Sequence, residues 1–147
     1  MLVDLELLKI GKSYGAVTPE LAVGFRAGLK AREHFNGLEG VTVLVYNSTG
    51  AVFALKQMME PSYLTIIDHG RHLFTFCHLH TKSILRMEFD LEMMALPSYC
   101  HEIERQLLDE NTNPSPDDLV MYHAAVDRVV RRLLILPIDY IFSVFSY

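Results

Sequence analysis

The chain has 147 residues, half of them apolar, and a formal net charge of −5. This length is typical of one domain, so we predict a single unit over residues 1–147, with an α+β core at 1–90 and C-terminal helices and a tail at 91–147. Residues 1–90 hold nine basic and nine acidic side chains, whereas residues 91–147 hold four and nine. Without a basic stripe to contact phosphates, the chain is not expected to bind nucleic acid.

The sequence also argues against a membrane segment and a disulfide framework. No apolar run reaches the roughly 18 residues that a bilayer-spanning helix needs, and acidic residues occupy the N-terminus where a signal peptide would be basic. Two cysteines, Cys77 and Cys100, are too few for a disulfide framework, and we interpret them as small buried side chains. We therefore expect a cytoplasmic protein without membrane contact.

The first sixty residues predict a helix, a strand and a second helix. Thr18 and Pro19 predict a helix start, because threonine caps the first turn and proline needs no N–H donor there. Two glycines on this helix, Gly24 and Gly28, predict that another backbone approaches closely. The apolar, β-rich stretch 41–46 predicts a buried strand. Residues 51–60 predict the second helix, capped by Ser48 or Thr49.

The rest of the chain predicts strands followed by helices. The remaining expected elements are strands at 63–67, 72–80 and 82–89 and helices at 97–110 and 117–136. The last stretch, 138–147, is too apolar for a free tail, so we expect it to pack on the sheet or on another subunit. The predicted fold class is α+β: a helix-strand-helix-three-strand core with a mixed sheet, followed by a C-terminal helical segment.

Four local patterns in this order resemble the FmdE (or FwdE) family, named after the E subunit of formylmethanofuran dehydrogenase. Members open with His-Gly-His-x-Cys-Pro-Gly and a helix beginning Leu-Ala-x-Gly-Tyr-Arg, to which YGAVTPELAVGFR at 14–26 is similar. YNSTGAVF at 46–53 resembles the family's Glu-Asn-Asp-Ser-Cys-Ala-Val-Asp, and DHGRHLFTF at 68–76 resembles Asp-Tyr-Gly-Lys-x-x-Tyr-Thr-Phe. LLILPIDYIF at 133–142 resembles the closing Ile-Leu-x-Ala-Pro-x-x-x-Leu-Phe.

The resemblance implies a mixed sheet like that of the catalytic domain of glyceraldehyde-3-phosphate dehydrogenase. It also implies a homodimer whose C-terminal helices contribute to assembly. In typical members it implies a metal such as zinc, held by the histidines and cysteines of the first two motifs.

This sequence departs from the family at those metal-ligand positions. The residues that stand there are Tyr14, Ala16, Thr18, Gly50 and Phe53. None of them offers the imidazole or thiolate that zinc prefers. We therefore predict a divergent member with a degenerate metal site, no metal and no cofactor.

The retained residues suggest a cleft for a small polar or anionic ligand. Asn47 and Ser48 lie where a strand end faces a helix N-terminus, whose unpaired N–H groups attract anions. We predict that six residues contact the ligand: Tyr14, Thr18, Asn47, Ser48, Asp68 and Arg71. The alternative is that Ser48 or Thr49 only caps the helix and that Asp68 only makes a turn.

Three functions remain open at this point. The first is an accessory or small-molecule-binding protein that has lost its metal site. The second is an enzyme that uses Asp68, His69 and Tyr14 for acid–base chemistry, or a metal relocated to His72, His78 and His80. The third is a structural subunit that assembles through its acidic helices and apolar C-terminal end.

Overall fold

The structure is a computed structural model that describes residues 2–147. Its helices are α1 (Leu2–Tyr14), α2 (Pro19–His34), α3 (Gly50–Met58), α4 (Tyr99–Leu108), α5 (Pro116–Ile135) and the short α6 (Ile138–Ile141). Its strands are β1 (Val41–Val45), β2 (Leu64–Ile66), β3 (Leu73–His78), β4 (Ile84–Phe89) and β5 (Phe142–Ser146). Within residues 2–147, no helix combines the length and the apolar character that crossing a bilayer requires.

The strands form one five-stranded mixed sheet in the order β2-β1-β3-β4-β5. β1 and β2 run parallel, and all other neighbours are antiparallel. The α+β class and the mixed sheet are therefore confirmed. The sheet has one strand more than the sequence predicts, because the apolar C-terminal stretch contributes β5 at the edge beside β4. That stretch does not merely pack on the sheet but joins it.

The helices cover one face of the sheet. The core joins inward-facing strand residues such as Val43, Phe76 and Met87 to apolar residues of α2, α3 and α5. The alternate strand residues, such as Leu44, Thr75 and Arg86, face the other way and belong to no buried cluster among the described residues. Period-two alternation thus leaves the second face of the sheet without a helical layer in the described part of the chain.

The packing of α2 on α3 confirms the predicted close backbone approach. Thr18 caps α2, since its hydroxyl oxygen accepts from the N–H of Leu21 at 3.2 Å. A Cβ placed on Gly24 would lie only 2.8 Å from the carbonyl carbon of Ala51 in α3. Gly24 therefore lets the two helix backbones touch, which fixes the position of the loop before α2 relative to the start of α3.

A half-buried arginine of α2 holds the end of α5. The Arg26 guanidinium donates to the carbonyl oxygens of Leu133 at 2.5 Å and Leu136 at 2.8 Å. These carbonyls lie in the last turn, where a helix lacks its own donors. Burial lowers the pKa of Arg26 from its ordinary value, but a guanidinium remains charged at any physiological pH. Arg26 therefore ties α5 to the core helix α2.

Candidate functional site

The loop before α2 meets the start of α3, as the resemblance implies. Tyr14 ends α1, and its ring packs on Phe53 of α3 with 4.9 Å between the ring centroids. A Cβ on Gly50 would lie 3.2 Å from the Tyr14 hydroxyl oxygen and 3.4 Å from the Leu21 nitrogen. This part of the predicted site is therefore filled by packed side chains and backbone.

Asn47 is a structural residue in this geometry. It is 2% exposed, and its amide nitrogen donates to the Arg71 carbonyl at 3.0 Å. Its side-chain oxygen accepts from both the backbone N–H and the hydroxyl of Thr49, at 3.1 and 2.7 Å. Thr49, rather than Ser48, is the N-cap of α3. Asn47 thus joins β1, α3 and the turn before β3, and a ligand could not reach its buried oxygen without displacing these bonds.

Of the other predicted contacts, Ser48 is exposed between β1 and α3, and Asp68 and Arg71 lie in an exposed turn. Asp68, His69 and Arg71 follow β2 and are exposed, and the N–H of His69 donates to the Tyr46 carbonyl at 3.3 Å. The Arg71 guanidinium pairs with Glu88 at 2.9 Å. Tyr14 packs on Phe53, and among the described residues no hydrogen bond joins its hydroxyl to Asp68 or His69.

The histidines of β3 do not converge on one point. His72 precedes the strand and His78 ends it, which separates them by about 20 Å at ~3.3 Å per residue. His80 lies in the following turn rather than on the strand. His78 accepts through Nδ1 from the N–H groups of His80 and Thr81. One metal ion could not take ligands from all three histidines. Among the described residues, no cluster of three or more His, Cys, Asp or Glu side chains is placed to hold a metal.

A cavity of about 540 Å³ opens beside the same loop, on the side of α4 and α5. The loop and the first turn of α2 form one wall through Ala16, Val17, Thr18 and Glu20. Met94, Leu96 and Val126 give the cavity an apolar side. The volume lies within the usual range of small-molecule sites, roughly 300–1,000 Å³. Of the six predicted ligand contacts, only Thr18 lines this cavity.

The polar side of the cavity is acidic. Its ionisable lining residues are Glu20, His101, Glu104, Tyr122, His123 and Asp127, and none of the described residues that line it is lysine or arginine. Burial raises the pKa of Tyr122, with smaller contributions from Glu104, Cys100 and Glu20. The phenol therefore keeps its proton at neutral pH and can donate a hydrogen bond. Three carboxylates in the lining of one cavity favour a cationic ligand over an anionic one.

Both cysteines are free. Cys100 of α4 is buried, as predicted, and Cys77 is half-buried. Burial, followed by the Glu104 carboxylate, raises the pKa of the Cys100 thiol. A protonated, buried thiol is a poor nucleophile, so Cys100 serves packing.

None of the six ionisable residues that line the cavity was predicted from the sequence. His101 and Glu104 are three residues apart on α4, and His123 and Asp127 are four apart on α5. Such spacings place side chains on one face of a helix. The signal was present in each helix, but only the tertiary structure brings α4 and α5 to the loop before α2.

His72 provides a test of the packing between β3 and the helices. Its Nδ1 is buried without a hydrogen-bond partner among the described residues, and burial lowers its pKa, opposed by the nearby Glu20 carboxylate. In the unfolded chain His72 has the ordinary histidine pKa of about 6.5 and becomes protonated below that pH. In the folded chain its pKa is lower, so protonation favours the unfolded state. The free energy of unfolding should therefore fall as the pH drops from 7.5 to 5.5.

The His72→Leu variant should lose that part of the pH dependence, because leucine cannot take up a proton. Urea unfolding of both proteins at pH 7.5 and 5.5 measures the difference. Equal losses of stability in wild type and variant would show that His72 is not responsible.

A solved structure shares this fold. The chain superimposes on the crystal structure of a tungsten formylmethanofuran dehydrogenase FmdE-like protein from Syntrophus aciditrophicus with a TM-score of 0.60 and 14% sequence identity. The match covers 99% of this chain and 71% of the other. Comparison with protein-family models gives no match, and comparison with curated proteins gives none. The likeness therefore establishes an FmdE-like fold.

Proposed function

We propose that this chain is an accessory, small-molecule-binding protein of FmdE-like fold, whose ligand is a small organic cation held in the acidic cavity. One observation carries the proposal. The loop that resembles the family's metal-binding loop forms a wall of a cavity whose described lining has three carboxylates and neither lysine nor arginine. On this proposal, the scaffold has kept a binding site beside the loop and has changed its chemistry.

The residues at the family's metal-ligand positions support the proposal that the metal site has been lost. The Thr18 hydroxyl oxygen caps α2, and the Tyr14 ring packs on Phe53. Ala16 and Gly50 have no donor atom in their side chains. This set lacks the imidazole and thiolate ligands that zinc prefers, so it does not fit the metal that the resemblance implies.

The carboxylates that line the cavity change the expected charge of the ligand from negative to positive. The start of α3 predicts a polar or anionic ligand, but Asn47 there is buried and bonded within the protein. In the cavity, an ammonium group could pair with Glu104 and Asp127 while an attached apolar group contacts Met94 and Val126. An anion would meet three carboxylates with neither lysine nor arginine among the described lining residues, which is unfavourable in a partly desolvated site.

Two probes of similar size and opposite charge test the proposal. We expect 2-phenylethylammonium to raise the melting temperature of the protein and 3-phenylpropionate to leave it unchanged. The double variant Glu104→Gln and Asp127→Asn should bind the cation several-fold more weakly in calorimetric titration, since a solvent-screened ion pair is worth about 0.2–1 kcal/mol.

A matched control variant separates local from general charge effects. Glu102→Gln with Asp118→Asn removes the same charges from α4 and α5 at positions outside the cavity lining. It should bind 2-phenylethylammonium as the wild type does. Preference for the anion, or equal weakening by both double variants, would contradict the proposal.

We further propose that the protein works in the cytoplasm as a homodimer. The two free cysteines are compatible with a reducing compartment. The homodimer is what the family resemblance implies.

A further inference from the structure

The C-terminal strand β5 leaves one edge of the sheet open. Within residues 2–147 it pairs with β4 on one side only. Residues 140–147, which include the whole strand, contain no charged side chain and no proline. Natural sheets usually protect an edge with charges, prolines, bulges or very short strands. β5 has none of these features, and its Phe145 is 54% exposed.

The register shows which backbone groups of β5 are free. Ile84 and Tyr147 exchange two backbone hydrogen bonds, at 3.1 and 2.9 Å. Because bonded and non-bonded pairs alternate in an antiparallel ladder, Phe145 and Ser143 also bond to β4. Val144 and Ser146 therefore direct their N–H and C=O groups away from β4. These groups are available to another strand.

The opposite edge of the sheet differs. β2 has only three residues, Leu64–Ile66, and a short turn with Glu60 and Pro61 precedes it. A strand this short offers little backbone for pairing. The two edges are thus unequal, and only β5 has the length and composition of a pairing strand.

The sequence of β5, Phe-Ser-Val-Phe-Ser, is complementary to itself. If two copies pair antiparallel about Val144, then Phe142 lies opposite Ser146 and Ser143 lies opposite Phe145 of the other copy. A large side chain meets a small one on both faces of the sheet, and no like charges face each other. About four backbone hydrogen bonds would form, two between the Val144 residues and two between Ser146 and Phe142.

We propose that β5 is an interface for a second copy of this chain, which pairs antiparallel about Val144 to form one continuous sheet with two-fold symmetry. Such an interface is closed, since the same strand serves both copies. It predicts a dimer and no larger assembly. This inference rests on the proposed homodimer, for which it names the interface, and it does not depend on the proposed ligand of the acidic cavity.

The variant Val144→Pro tests the pairing directly. Proline lacks an N–H, and at residue 144 that N–H points to the open edge rather than to β4. The fold should therefore persist while the interface is lost. Analytical ultracentrifugation should give twice the 16.8 kDa chain mass for the wild type and 16.8 kDa for the variant. Phe145→Lys should weaken the dimer, because it removes an aromatic ring from the pair and places two ammonium groups at diagonal positions on the uncovered face, roughly 7–8 Å apart at the backbone.

Two further measurements keep the test specific. Circular dichroism and thermal melting should show that both variants fold. Leu108→Ser removes another exposed apolar side chain, on α4 and 87% exposed, and should remain dimeric. A monomeric wild type or an assembly larger than a dimer would overturn the homodimer and its interface together, whereas a dimer that survives both β5 variants would overturn β5 as the interface and leave the homodimer standing.

Discussion

Replacing Gly24 by alanine is expected to lower the free energy of unfolding by about 2–3 kcal/mol, within the range observed for overpacking a rigid core contact. The new methyl group would lie 2.8 Å from the carbonyl carbon of Ala51 and closer still to its carbonyl oxygen. Both groups belong to the backbone of α3, which cannot rotate away. The helices α2 and α3 would have to separate, and alanine's better helix propensity would not offset that cost.

Gly28→Ala is the matched control for this change. It lies one turn further along the same helix, and its added methyl group meets the Met58 sulfur at 2.6 Å and the Met58 Cε at 2.8 Å. Those atoms end a flexible side chain that can move aside. Alanine gains roughly 1 kcal/mol of helix propensity over glycine, so the net change should be small.

Urea unfolding of the two variants measures the difference. We expect the free energy of unfolding of Gly28→Ala to be close to that of the wild type and that of Gly24→Ala to be clearly lower than both. Equal effects at the two positions would contradict the backbone contact between α2 and α3.

Replacing Arg26 by methionine is expected to cost about 3 kcal/mol of unfolding free energy, since two hydrogen bonds from a charged donor are lost. Methionine keeps much of the apolar stem, but it leaves the carbonyls of Leu133 and Leu136 without their donor. Arg26→Lys should cost less, because an ammonium group can bond one of the carbonyls but lacks the planar fork that reaches both.

Hydrogen exchange locates the effect of the Arg26 variants. Exchange of the amides near the C-terminal end of α5 should accelerate in Arg26→Met more than in Arg26→Lys, ahead of amides in β1 and β3. Unchanged exchange at the end of α5 in both variants would show that Arg26 does not hold that helix.

Local signals in the sequence were enough to predict much of the fold. Thr18 and Pro19 marked the start of α2 because capping depends on neighbouring residues only. Gly24 indicated a close backbone contact, although it could not identify Ala51 as the partner. The helix α1 was not predicted, since apolar residues such as the exposed Leu5 and Leu8 occupy its outer side as well as the buried Leu7 and Ile10. That distribution weakens the helical period.

The site was harder to predict because its residues come from distant segments. The resemblance led to the loop before α2, which does line the cavity. It also led to the prediction of Asn47 as a ligand contact. The polar atoms of Asn47 are instead hydrogen-bonded to Arg71 and Thr49 within the protein. Glu104 and Asp127 belong to separate helices, and no local pattern indicates that these helices meet beside Thr18.

Nuclear magnetic resonance titration with 2-phenylethylammonium tests the binding site most directly. Backbone amide shifts in the ¹H–¹⁵N spectrum report which residues the cation contacts. We expect saturable shifts at Glu20, His101, Tyr122 and Asp127 and none at Asp68. Shifts confined to the turn around Asp68, or no saturable shift at any residue of the cavity, would contradict a cation-binding cavity.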